Sequence, residues 1–378
     1  MNPLIRLTGE GQSVWLDYIR RDLLAGGGLK RMIVEDGVTG VTSNPSIFEK
    51  ALADSQDYEG MIASESPRCS TAKELYERLA VRDIRDAAWE LRDVYDGTHR
   101  ADGYVSLEVS PELARDTAGT LEEARRLWMT VGRENVLIKV PGTPEGITAF
   151  EQLIAEGINV NVTLLFGLDA YESVATGYVR GVARRIASGG DPRRIASVAS
   201  FFVSRIDTAV DAIIEEKLSS AAGTPDESAL RGLLGKAAIA NARLAYARFL
   251  DVFGGEEWKA LAAKGARSQR VLWASTSAKN PAYRDVVYVE ELIGPDTVNT
   301  IPLKTLEAFR DHGRVRPSLL EDPSGARDVL SELGRLGISM DAVTRRLLDD
   351  GLVLFSDSFR KLLAALDRAR EKVVVAAG

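Results

Sequence analysis

Glu134 to Leu153, ENVLIKVPGTPEGITAFEQL, is the stretch on which the architecture turns. Val136, Leu137, Ile138 and Val140 form a short, mostly branched apolar run closed by Pro141 and Gly142. Such a run reads as a buried strand. Thr143 can cap a helix, Pro144 suits the first helical position, and Ile147, Phe150, Leu153 and Ile154 share one helical face. The stretch therefore predicts a strand, a short loop and a helix. Lys139 lies within the strand, close to its end. Burial disfavours a charged ammonium, and a desolvated amine is a nucleophile that forms Schiff bases with carbonyls. A solvated strand edge, or half of a structural ion pair, would also place a lysine there.

Working outward, seven further apolar runs end in polar residues and lead into helical patterns. They cover residues 12–19, 37–42, 103–109, 157–166, 195–203, 269–274 and 297–301. Strands that alternate with helices argue for parallel βαβ units. Eight of them over about 300 residues predict an α/β fold, a TIM (β/α)8 barrel. In GINVNVTLLF, residues 157–166, Asn159, Asn161 and Thr163 alternate with Val160, Val162 and Leu164. Period-two alternation puts the polar row on one face. In a barrel wrapped by helices that face points inward.

Polar groups recur where the runs end: Asp17, Asn44, Glu108, Lys139, Asn161, Thr163, Ser200 and Ser275. The carboxyl ends of barrel strands form the catalytic rim. Any one of these residues could be an ordinary polar strand end; the joint pattern points to a site. Beyond Arg314, residues 326–336, 340–350 and 352–375 read as helices, with Gly337 and Gly351 as breaks. They read as a cover packed on the barrel in preference to a subunit contact. No linker or repeat interrupts the chain, so one domain is expected over residues 1–378, with the barrel at about 10–314 and the helical extension at about 315–378.

Composition narrows the function. Hydrophobic residues make up 45% and charged residues 27%, as in soluble globular proteins. The formal charge of -7 argues against a nucleic-acid binder. One cysteine, Cys69, excludes an internal disulfide and fits a reducing cytoplasm. There is no signal-peptide core and no apolar run near the roughly 18 residues of a membrane span. Only two histidines, His99 and His312, are present, which argues against a multi-histidine metal site, and no phosphate-loop motif occurs.

TSNPSIF (Thr42 to Phe48), VSLEVSPELA (Val105 to Ala114), VLIKVPGTPEGITAFEQL and INVNVTLLF together resemble the transaldolase family, Schiff-base enzymes of the non-oxidative pentose phosphate pathway. The resemblance runs to about His312 and implies a barrel of the class I aldolase kind. It implies that Lys139 forms the imine with a ketose donor. Asp17 matches the acid that takes the proton from the donor's hydroxyl as the C–C bond breaks. Glu108 and Thr163 match a pair that holds a proton-shuttling water. Asn44 and Asn161 match amides that bind hydroxyls of the three-carbon unit, and Phe202 matches an aromatic of the pocket wall. Ser200, Arg205 and Ser275 match groups at the substrate and its phosphate.

The chain departs from the family pattern at Phe201 and Ser204, where proline and glycine are frequent. It departs again at Ser277, where many relatives carry an arginine. Lys279 can supply a point charge there, without the arginine fork. The resemblance implies sugar-phosphate substrates and no metal or organic cofactor, and it leaves monomer and homodimer both open. Two other functions fit the same residues: a free aldolase that releases dihydroxyacetone, and a non-catalytic sugar-phosphate-binding barrel. The second has little use for Lys139, Asp17 and Glu108 together.

Overall fold

The computed structural model describes residues 2–53 and 56–377. Eight parallel strands close into a barrel in sequence order. They are β1 (Gln12–Leu16), β2 (Val38–Thr42), β3 (Tyr104–Glu108), β4 (Val136–Pro141), β5 (Val160–Leu165), β6 (Ser197–Phe202), β7 (Arg270–Ala274) and β8 (Thr297–Ile301). Helices between them cover the outer wall. The predicted helix after β4 spans Pro144–Glu156, and the Thr143 hydroxyl accepts from the Gly146 N–H at its start. Both faces of the strands are buried, which is why the runs read as almost continuously apolar. Among the described residues no helix is long and apolar enough to cross a membrane.

Register decides what meets inside. Glu108 pairs with Lys139 across β3 and β4, and Lys139 pairs with Asn161 across β4 and β5. Side chains alternate along a strand, so three residues in register share one face. β1 is shorter than the sequence suggests. Asp17 lies just past it, and its backbone N–H donates to the Ile301 carbonyl at 2.9 Å, so the end of β8 holds it in place.

The lower end of the barrel is closed by a polar plug. Asp102 accepts from the Trp15 indole at 2.7 Å and from the Thr39 hydroxyl at 2.9 Å, and also bonds the Ser13 hydroxyl. The Arg270 guanidinium donates to Ser13 at 2.6 Å and lies 3.6 Å from Asp102. The Trp15 ring occupies the space beside Gly40, where a Cβ would fall 2.5 Å from it. Asp102 is only 6% exposed. Asp102→Ala leaves the buried Trp15 indole N–H without its acceptor, and an orphaned buried donor costs about 1–3 kcal/mol. A fall of that size in unfolding free energy is expected from urea titration.

After the barrel, helices span Pro323–Arg335 and Met340–Ala377. Gly337 is a break, with φ of 76°, but Gly351 is not. The expected pair of helices at 340–350 and 352–375 is one helix of 38 residues. Glycine inside a helix costs about 1 kcal/mol relative to alanine, and here it permits a close approach. A Cβ at 351 would sit 3.0 Å from Leu164 Cδ2 at the end of β5. Leu164 itself has φ of 60°, where the β5–β6 register shifts. The helix packs against Pro45–Ala53 and Ala72–Glu90 and covers the barrel, as the extension was expected to do.

Candidate active site

At the carboxyl ends of the strands lies a cavity of about 580 Å³. Asp17, Asn44, Lys139, Thr163, Ser200, Phe202, Arg205, Ser275 and Lys279 all line it. Glu108 and Asn161 form the layer beneath and touch the lining directly. Asn159 takes no part. Its amide splices strand starts, donating to the carbonyls of Glu134 and Val136 and accepting from the Ala196 N–H.

Lys139 is 4% exposed, which excludes a solvated strand edge. Its Nζ lies 3.3 Å from Glu108 Oε2 and donates to the Ser43 carbonyl at 3.2 Å. Burial pushes the Glu108 carboxyl above the usual carboxylate range; Lys139 opposes the shift and Asp17 adds to it. Burial likewise raises Asp17, against the pull of Lys139, of the Thr42 hydroxyl that donates to it at 2.7 Å, and of Lys279. Two acids displaced in this way around one amine are what a proton-transfer site requires. Thr163 Oγ1 is buried with no hydrogen-bond partner among the described residues, and Glu108 Oε2 has none besides the Lys139 ammonium. A buried water needs two to four such partners.

The polar wall is a chain. Ser200 Oγ donates to Asn161 Oδ1 at 2.7 Å, and Asn161 Nδ2 donates to Ser106 Oγ at 3.1 Å. Ser43 Oγ donates to the Ser106 carbonyl at 2.7 Å. Asn44 both ends a strand loop and starts a helix: its Oδ1 accepts from the Ile47 N–H at 2.9 Å. That bond fixes the amide and leaves its Nδ2 for a ligand. Ser275 has φ of 57°, an uncommon backbone state of the kind concentrated at functional sites. Its hydroxyl meets that of Ser204 at 3.0 Å.

Cations gather at the mouth. The Arg205 guanidinium lies over Phe202, 5.6 Å from the ring centre, and burial lowers its pKa with no carboxylate offsetting the shift. Lys279 is lowered first by desolvation and then by repulsion from Arg205; Lys50 adds to this, while Asp17 opposes it. Lys279 Nζ donates to Ser277 Oγ at 2.6 Å, so the residue at the missing arginine position orients the lysine. Three cations, with Lys279 repelled by both of the others, favour a multiply charged anion between them.

The sequence alone did not single out Lys50, Thr300 or Phe355, which also line the cavity. Thr300 completes the eighth strand's contribution through a 2.6 Å hydroxyl pair with Thr42. The inward position of Thr300 on an alternating strand was a usable signal. Lys50 reads as one more solvated helical lysine, and Phe355 as one more core residue.

A parallel eight-stranded barrel with a buried lysine that interacts with two acids at its carboxyl end is an arrangement suited to enzymes that work through a lysine imine. A family model described as Transaldolase/Fructose-6-phosphate aldolase matches residues 14–366. A protein named Transaldolase from Thiobacillus denitrificans is 52% identical over 356 residues, covering 94% of this chain and 97% of that one. Transaldolases named from Trichodesmium erythraeum and Frankia alni are 44% and 46% identical, each covering at least 96% of both chains. The chain belongs to the transaldolase/fructose-6-phosphate aldolase family.

Proposed function

We propose that this chain is a transaldolase that moves a dihydroxyacetone unit from sedoheptulose 7-phosphate to glyceraldehyde 3-phosphate, giving erythrose 4-phosphate and fructose 6-phosphate. The observation that carries this is the buried amine of Lys139, 3.3 Å from Glu108 and facing the cavity that Asp17 also lines. The relatives' shared name favours transfer over release of free dihydroxyacetone. A single cysteine in 378 residues supports a cytoplasmic setting. We take barrel and C-terminal helices as one domain.

The roles follow from position. Lys139 Nζ adds to the donor's ketone, and loss of water gives an iminium. Glu108 and Thr163 hold the water that carries protons in and out during this step. Asp17 takes the proton from the hydroxyl next but one to the iminium carbon, and the C–C bond breaks. Its electrons enter the iminium and leave an enamine on Lys139. Asn44 and Asn161 hold the three-carbon unit while the aldose departs. The enamine then attacks the acceptor aldehyde, Asp17 returns the proton, and hydrolysis frees the new ketose. Ser200 fixes Asn161, and Phe202 walls the pocket and supports Arg205. Arg205, Ser275 and Lys279 bind the phosphate, joined by Lys50.

A charge-assisted hydrogen bond is worth about 1.5–3 kcal/mol. Lys279→Met should therefore raise KM for phosphorylated donors about 10- to 100-fold. The rate with the unphosphorylated pair, fructose as donor and glyceraldehyde as acceptor, should stay unchanged. Equal losses with both donors would move Lys279 out of the phosphate site. The reading as a whole is tested by treating the protein with fructose 6-phosphate and borohydride, mapping the reduced adduct by mass, and assaying turnover with and without an acceptor aldehyde. The expected result is an adduct on Lys139 and turnover that needs the acceptor. Turnover without acceptor would make the protein a free aldolase, and no adduct would end the imine mechanism.

A further inference from the structure

We infer that Phe355, carried by the C-terminal helix, belongs to the reaction centre and stabilises the positive charge on the nitrogen of Lys139. This rests on Lys139 being the imine-forming residue. The Phe355 ring faces Lys139 Nζ, 5.9 Å from its centre, and lines the same cavity. Phe355 is 4% exposed, while Val353 and Leu354 beside it are 61% and 45% exposed. The helix thus turns this one ring inward while leaving two large apolar neighbours in solvent.

The surroundings fix the ring. One turn earlier, Gly351 lets the helix touch Leu164. One turn later, Phe359 meets Tyr76 edge-on at 5.4 Å, and Tyr76 meets Phe48 edge-on at 5.6 Å. Ser46 Oγ donates to Ser358 Oγ at 2.8 Å, which ties the helix to the segment that carries Asn44. Leu362 and Leu366 continue the buried face.

The chemistry needs such a wall. An iminium carries its charge for as long as it exists. Glu108 compensates that charge from one side, and an aromatic face compensates it from another through its quadrupole. A third carboxylate in place of the ring, after Glu108 and Asp17, would add another proton acceptor beside the nitrogen. A ring stabilises the cation, offers no proton acceptor and keeps water from the enamine. Phe355 therefore acts on the step that forms and holds the iminium, and it leaves phosphate recognition to Arg205 and Lys279.

Shape and charge stabilisation are separable by replacing Phe355 with fluorinated phenylalanines, which keep the ring and weaken its quadrupole. Turnover and the borohydride-trapped fraction at saturating fructose 6-phosphate should fall together as fluorines are added. About a tenfold loss is expected for the pentafluoro ring, the size of a desolvated cation–π contact. KM for the acceptor should move less than about twofold. Phe355→Trp should retain turnover and Phe355→Leu should lose about as much as the pentafluoro ring. Equal turnover across the fluorinated series would overturn the proposal and leave Phe355 a packing residue. Absence of any adduct on Lys139 in the unsubstituted protein is a different result, which removes the imine reading itself.

Discussion

Lys139→Met lowers turnover by at least about ten-thousandfold and leaves no borohydride-stable adduct. Removing a covalent nucleophile from a serine protease costs about a millionfold, and the residual rate comes from binding and positioning alone. Methionine keeps most of the volume and removes the amine, so the pocket stays filled. Its cost in stability falls on Glu108, which loses the cation 3.3 Å away. Burial already holds that carboxyl above its usual range, and Lys139 is the first influence opposing the shift. In the variant Glu108 is held protonated further up the pH scale. A carboxyl whose folded pKa lies above its unfolded one favours the fold at low pH, and that contribution is lost as pH rises through the folded value. The variant should thus lie nearest the parent in stability under acid conditions and fall behind toward neutral pH. A variant with parental turnover would place the chemistry elsewhere.

Asp17→Asn separates bond cleavage from imine formation. Asparagine has the same shape and can still accept the Thr42 hydroxyl bond that now reaches Asp17 at 2.7 Å. It cannot take a proton. General-base catalysis contributes about a hundredfold to ten-thousandfold, so turnover should fall by that factor. The donor should still condense with Lys139. Borohydride would then trap at least as much fructose 6-phosphate adduct as in the parent, because the imine forms and does not proceed. Loss of the adduct as well as of turnover would mean that Asp17 serves the amine directly. Retained turnover would remove it from the mechanism.

The barrel was legible because its signals are local. A run such as Val136–Pro141 followed by a cap and an apolar stripe needs only neighbouring residues to be read. Lys139, Glu108 and Asn161 were found as strand-end residues, and register brings them together in the structure. Two things lay outside local reading. Gly351 looked like a helix break, because its reason for being there is Leu164, far away in the chain. Lys50 and Phe355 sit on helices whose sequences look like ordinary surface and core. Only the way those helices cross the barrel mouth gives them a part in the cavity. The phosphate region is intermediate: the departure at Ser277 was visible, and its contact with Lys279 needed coordinates.

The C-terminal helix bears on how the protein comes into being. All eight strands precede Met340 in the chain, and Phe355 comes after them. In a chain emerging from the ribosome, all eight strands, the lysine and both acids are translated before the last wall of the pocket. Nascent chains, and products of premature termination or of proteolytic clipping near residue 340, would carry an amine open to any passing aldehyde. Phe355 is then the last part of the cavity wall to be made.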